Sequence, residues 1–212
     1  MRPAGARTGR ITPRYKNRKG FVPGVYRIQF TLRDEAGNQT VSNRRSFRNY
    51  RVVSGGVWRR VSGAGKVVAL TFDDGNNAAW ASILNTLKRY KAHATFFPLG
   101  PYVASSPSLA RRTMKEGHAC GVHGWTHSQM TRQSPSQVQS EWLRNAAPWW
   151  KATGRSPVPY CRPPYGDMNG STTAASAAAG FYRIILWDVD PQDWAQPGAG
   201  VIASRVLSHV HP

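Results

Sequence analysis

From residue 57 onward the chain repeats one pattern: a short apolar run, a polar cluster, then apolar residues spaced three or four apart. Residues 67–72 (VVALTF) read as a buried strand closed by Asp73-Asp74-Gly75, and Trp80, Ile83, Leu84 and Leu87 share one face of a helix over about 77–90. Residues 94–97 (ATFF) form the next strand. Ser106-Pro107, a cap residue followed by proline, opens a helix that ends at Gly117. A third strand, 119–122, runs into His123. Ser134-Pro135-Ser136-Gln137 is a capping box that starts a helix with Val138, Trp142 and Leu143 inward. Residues 159–162 make a fourth strand, 171–179 a helix of small residues closed by Gly180, 181–189 a fifth strand, and about 198–209 a last helix.

Strands alternating with helices of this length predict parallel pairing, in an α/β barrel or an open sheet. In such barrels the reactive groups collect at the carboxyl ends of the strands, where every polar cluster of this chain falls. The front of the chain is different. Residues 1–20 are Arg, Lys, Gly and Pro with almost nothing apolar, and are expected to be a basic disordered tail. Residues 21–56 hold two extended runs, one with Val25, Ile28, Phe30 and Leu32 and one from Phe47 to Val53, around the turn residues DEAGN, which predicts a β-hairpin. That hairpin resembles the end of a bacterial immunoglobulin-like module, of which it is expected to be a remnant.

Composition narrows the picture. A chain of 212 residues that is 40% hydrophobic and carries eight Trp can bury a core in one domain or slightly more. No apolar run approaches the roughly 20 residues of a membrane span, and residues 1–30 lack a signal-peptide stretch, so the chain as written is expected to be soluble. The net charge of +19 is concentrated at the front, where residues 1–60 hold 15 of the 29 Lys/Arg and 2 of the 10 acids. A basic front segment implies an anionic partner, and an anionic cell-wall polymer suits it. No nucleic-acid-binding signature is present, so nucleic acid is not expected as a partner. Cys120 and Cys161 each sit in a short apolar run and read as buried core thiols.

Four clusters carry the candidate chemistry: Asp73-Asp74, His123 with His127, Arg162 to Gly166 (RPPYG), and Asp188, Asp190 and Asp193-Trp194. One carboxylate with two imidazoles is a catalytic zinc set that leaves a position for water. Taken singly, Asp-Asp-Gly is an ordinary turn and two histidines four apart are ordinary surface or core residues. At successive strand ends the set together argues for a site.

These stretches resemble the polysaccharide deacetylases, the NodB-type domain of carbohydrate esterase family four. The matching segments are VVALTFDDG (67–75), ATFFPLG (94–100), EGHACGVHGWTHSQM (116–130), YCRPPYG (160–166) and WDVDPQDW (187–194). The resemblance implies a distorted (β/α) barrel with fewer than eight strands over 57–212. It makes Asp74, His123 and His127 ligands of a divalent ion, Zn2+ first and Co2+ or Mn2+ as alternatives. Asp73 becomes the general base, with Arg162 holding it ionised and lowering its pKa. The backbone N–H of Tyr165 would face an oxyanion. Asp193 would orient a histidine acid, with Asp190 as rival, and Trp194 and Pro163 would contact substrate. The implied reaction is hydrolysis of N-acetyl groups on an N-acetylglucosamine polymer of peptidoglycan or chitin type, outside the cell or at its wall.

Gly124 departs from the family pattern, which has a hydroxyl residue there. Leu207-Ser208-His209 spells the family's late Leu-x-His motif but lies in a helical stretch, so the chain is expected to be truncated before its general acid and its closing strand. Two rival functions follow: an acetyl-xylan esterase using the same site on O-acetyl groups, and a non-catalytic carbohydrate- or wall-binding fragment. His93 and His118 precede strands and are expected to be solvated or capping residues.

Overall fold

The computed structural model describes residues 24–28, 31–33, 39–41, 45–49, 56–61, 65–75, 77–157 and 159–210. It divides into two compact units, Met1–Arg51 and Val52–Pro212. The expected tail over 1–20 lies outside the described residues. In the first unit β1 (Gly24–Ile28) pairs antiparallel with β4 (Arg45–Asn49), and β2 (Thr31–Arg33) pairs antiparallel with β3 (Gln39–Val41).

The second unit is an arc of parallel strands flanked by helices. Its strands are β5 (Gly56–Trp58), β6 (Thr71–Asp74), β7 (Thr95–Pro98), β8 (Ala119–Cys120), β9 (Tyr160–Cys161) and β10 (Arg183–Ile185). One sheet has the order β5-β10-β9 and the other β6-β7-β8, with every pairing parallel. A parallel bridge from Val122 to Cys161 joins them. Among the described residues the arc is open between β5 and β6, as befits a distorted barrel of fewer than eight strands.

Six helices accompany the arc among the described residues: α1 (Asn77–Tyr90), α2 (Gly100–Ser105), α3 (Pro107–Lys115), α4 (Pro135–Thr153), α5 (Gly170–Ala178) and α6 (Ala199–His209). Two apolar clusters fill the unit. Trp80, Leu84 and Leu87 of α1 meet Phe96, Cys120 and Trp149 in one, while Val138 and Trp142 of α4 meet Val122, Cys161, Phe181 and Ile184 in the other. The indole N–H groups of Trp80 and Trp142 donate to Thr113 and Ser176, so neither large ring strands a polar atom in the core. The Ser134–Gln137 capping box forms as expected, and Asn169 with Thr172 makes a second one at α5.

The structure corrects several expectations. The first strand begins at Thr71, not Val67, and Val67 and Val68 are exposed because β6 is an edge of the arc with no neighbour beyond it among the described residues. The fifth predicted strand shrinks to three residues, all paired with β5 and the first two of them also with β9. Gly56 to Trp58, which the sequence pattern does not mark as a strand, pairs with it. Helix α2 was absent from the sequence pattern, which at six residues gives no full period. Leu143 is 53% exposed, and the buried face of α4 is taken instead by the polar Glu141 and Asn145. His118 is buried, with Nδ1 accepting the amide of Ala94, a capping role rather than a solvated one. Both cysteines are free and buried, and burial pushes the Cys120 thiol up to about 12.

Candidate metal centre and catalytic site

The carboxyl ends of β6, β8, β9 and β10 converge, and one side chain joins them. Arg162, 2% exposed, follows β9 directly. Its Nε donates to the Ile185 carbonyl and Nη2 to that of Leu186, just past β10. Its Nη1 donates to Thr71 Oγ1 at 2.9 Å and to Asp73 Oδ1 at 2.7 Å, both on β6. The guanidinium plane lies over Phe97 at 4.4 Å and Trp187 at 5.6 Å. Only a planar fork with five donors can serve four acceptors and two rings at once.

The same residue orients a second one through its backbone. The Arg162 carbonyl lies 2.7 Å from His123 Nδ1, and a carbonyl only accepts, so Nδ1 carries the proton and Nε2 presents a lone pair. That Nε2 stands 3.5 Å from Asp74 Oδ1, which is itself 3.4 Å from His127 Nε2. All three ligand atoms lie within 4.8 Å of one another. Donors each about 2.0–2.2 Å from one tetrahedral ion sit roughly 3.4 Å apart, so this set fits a divalent cation held between them. Burial holds His123 down to about 4, with Arg162's carbonyl and Asp74 working against the shift, so the ring is neutral at physiological pH, the form that can take a metal ion.

Asp73 splits its two oxygens. Oδ1 is taken by Arg162, while Oδ2 faces the ligand cluster, 3.9 Å from His123 Nε2. The resemblance implied a lowered pKa here. The structure reverses the net direction: loss of water around the carboxyl raises its pKa above the ordinary value, outweighing Arg162, and the charge of Asp193 adds to the rise. A carboxylate with raised proton affinity and one uncommitted oxygen is suited to accept a proton.

Local backbone strain gathers at the site. Asp74, His127 and Tyr165 all have φ near +60°, a region costly for residues with a Cβ. Gly75 follows at φ +86, where a Cβ would stand 2.6 Å from that of Pro98, so the chain can turn behind the two carboxylates only with glycine. Tyr165, in the one-turn helix Pro164–Gly166, sets its ring 4.6 Å from that of His127. Its backbone N–H finds no acceptor among the described residues, as an oxyanion donor requires. Pro163 is buried between Arg162 and this turn. Asp167 accepts from the amide and hydroxyl of Thr131, tying the Tyr165 turn to the loop that carries His127.

Two residues that the sequence did not single out hold that loop. Glu141 Oε2 accepts from the amides of Trp125 and Thr126 at 2.7 and 2.9 Å, and Asn145 Nδ2 donates to the carbonyls of Pro98 and Gly124 at 2.9 and 2.7 Å. The signal was present: polar residues one helical turn apart on the face shared with Val138, Trp142 and Trp149. Gly124 has φ +88, and a Cβ there would press on Glu141 Oε2 at 3.2 Å, which accounts for glycine where a hydroxyl residue was expected.

The late cluster is less gathered. Asp193 and Trp194 occupy the one-turn helix Asp193–Ala195, and Trp194 is 76% exposed. Asp190 spends its Oδ1 on the amide of Gln192, which marks it as a loop brace. His209 sits at the end of α6 with Nδ1 on the Arg205 carbonyl of its own helix, so it is not presented as an acid. His211 and Pro212 lie outside the described residues.

Similarity to known proteins gives the family. The family model for polysaccharide deacetylases matches residues 60–184. The chain belongs to the polysaccharide deacetylase family. It is 38% identical over 166 residues to a chitooligosaccharide deacetylase of Bradyrhizobium, covering 78% of this chain and 71% of that one. It is 39% identical over 144 residues to the peptidoglycan-N-acetylglucosamine deacetylase PgdA of Listeria monocytogenes, covering 68% of this chain and 30% of the relative, so it spans under a third of that protein's length. The solved peptidoglycan deacetylase PdaC of Bacillus subtilis superposes with a TM-score of 0.65 at 38% identity, over 71% of this chain and 73% of that one.

Proposed function

We propose that the protein is a divalent-metal-dependent hydrolase that removes N-acetyl groups from N-acetylglucosamine-containing polysaccharide. The observation that carries this reading is the joint arrangement of Asp74, His123 and His127 around one point, beside an Asp73 whose second oxygen is free. Two imidazoles and a carboxylate favour Zn2+, with Co2+ and Mn2+ as substitutes of similar donor preference. When bound, such an ion polarises the scissile carbonyl and makes water a stronger nucleophile.

The rest of the chemistry belongs to the chain's own residues. Asp73 Oδ2 takes the proton of the attacking water while Arg162 fixes the carboxylate through Oδ1. The Tyr165 N–H donates to the oxygen that gains charge as the acyl carbon becomes tetrahedral. His123, kept neutral by burial and held in one tautomer by the Arg162 carbonyl, holds its position without competing for protons. The charge of Asp193 reaches Asp73, which supports a place for Asp193 near the reacting group, and the exposed ring of its neighbour Trp194 is free to meet substrate.

The relatives support the substrate and the place. Their names include peptidoglycan and chitooligosaccharide deacetylases, and a wall polymer implies work outside the cell or at its surface. The basic front of the chain suits an anionic wall polymer. Among the described residues no helix is long and apolar enough to cross a membrane. Acetate release from N-acetylglucosamine oligomers and from acetylated xylan, each with added Zn2+, tests the reading. Release from the oligomers that disappears in Asp73→Asn supports it. Release from xylan alone would replace it with an esterase.

A further inference from the structure

A polar trough of about 900 Å³ opens from the metal centre and follows α4, with His127 and Tyr165 at its inner end. A substrate whose acetyl group reaches the metal ligands must extend along or past this trough. Two of its lining residues are guanidiniums: Arg132, ending the one-turn helix Met130–Arg132, and Arg144 on α4. Both are exposed, and among the described residues neither has a carboxylate partner. Arg144 lies 4.7 Å over the Trp125 ring, which fixes its plane. Glu141 also borders the trough, but its Oε2 is committed to two backbone amides and is buried. A third group is unspent: Gln133 Oε1 is buried without a hydrogen-bond partner.

Neutral sugars would use the amide and hydroxyl groups here but give two unpaired guanidiniums nothing to bind. A carboxylate would, because the planar fork of arginine matches two carboxylate oxygens. We propose that the trough is the subsite for a sugar adjoining the one being deacetylated, and that it selects a carboxylate-bearing saccharide, as in peptidoglycan, over a neutral chitin-type chain. This rests on the deacetylase reading and names the substrate class for that site. The carboxylate can come from the lactyl ether of the neighbouring sugar or from a peptide attached to it, and the two share this chemistry.

Calorimetric titration of the zinc-loaded full chain tests the proposal with four ligands. These are peptidoglycan disaccharide-peptides, the same fragments with their carboxylates amidated, peptide-free disaccharides bearing only the lactyl carboxylate, and chitin oligomers. The acidic fragments are expected to bind roughly tenfold more tightly than the amidated ones, the scale of one charge-assisted hydrogen bond. That advantage should vanish in the double variant Arg132→Gln/Arg144→Gln and persist in Arg111→Gln, which removes one charge from the exposed surface of α3 outside the trough. Retention of the advantage by the peptide-free disaccharide assigns it to the lactyl group, and its loss there assigns it to the peptide. Equal affinity for acidic and amidated fragments overturns the proposal. So does an advantage that survives the double variant, or one that falls as far in Arg111→Gln. Acetate release is followed in parallel: if wild type releases none from any substrate the deacetylase reading fails, while the binding preference still decides whether the trough recognises carboxylates.

Discussion

Replacing Glu141 with alanine should loosen the metal centre without touching a single ligand. The Glu141 carboxylate, 6% exposed, is the acceptor for the Trp125 and Thr126 amides, and those residues lie between His123 and His127. Deleting it takes the acceptor from the amides of half-buried Trp125 and exposed Thr126; a buried N–H left without a partner costs about 1–3 kcal/mol, and the Thr126 amide, which water can reach, costs less. The loop can recover part of this by opening to water, and an open loop no longer holds His127 at its left-handed φ of 57°. Supporting residues of this kind typically govern ten- to a hundredfold in metal affinity. Glu141→Gln keeps one acceptor oxygen but loses the charge, so it should fall between wild type and alanine. Competition with a chromogenic chelator gives the zinc affinity, and urea unfolding with and without zinc separates loss of the ion from loss of the fold. An alanine variant that binds zinc as tightly as wild type would refute the claim that α4 organises the ligand loop.

Arg162→Lys keeps the charge but offers one nitrogen where four hydrogen bonds and two ring contacts are made. It should cost about 2–5 kcal/mol in urea unfolding and abolish acetate release, and a variant of near-native stability would contradict the role given to the fork. In the metal-free protein His123 is held at about 4 against an ordinary 6.5, so its contribution is complete above pH 6.5 and is lost as pH falls from there to about 4. The loss amounts to about 3 kcal/mol at 1.36 kcal/mol per unit, partly offset by Asp73, whose raised pKa acts with the opposite sign and favours folding as pH falls. NMR titration of the His123 ring checks this, and a midpoint near 6.5 would oppose it. Gly124→Ser restores the family's hydroxyl residue but places a Cβ at φ +88 against Glu141 and Met130, so it should destabilise by about 1 kcal/mol or more and weaken zinc binding. Tighter zinc binding in that variant would show that the loop tolerates the side chain.

The parts of the molecule that were legible in the sequence are those governed by local rules. Helix α1 has the predicted bounds because its apolar period is clean over fourteen residues, and α4 starts where its capping box places it. Asp74, His123 and His127, which the structure brings together, were legible as a group because they fall at or just beyond the ends of recognisable strands. What was not legible depends on neighbours remote in sequence. Residues 67–70 look like a core strand and are exposed, because burial there requires a partner beyond β6. Gly56 to Trp58 becomes a strand only through β10, more than 120 positions later. Hydrophobicity alone ranks Leu143 as the inward residue of α4, whereas the backbone groups of the loop from Gly124 to Thr126 require the acceptor of Glu141 and the donor of Asn145. The net pKa of Asp73 depends on how burial and Arg162 balance, which only coordinates reveal.

The most direct test of the account is zinc titration of the metal-free chain by calorimetry, comparing wild type with His127→Ala. Wild type should bind one ion per chain, and the variant, left with Asp74 and His123 as its remaining ligands, should bind at least about a hundredfold more weakly. Equal affinity and stoichiometry in the two proteins would mean that zinc is held elsewhere, and that Asp74, His123 and His127 are not the centre on which the chemistry depends.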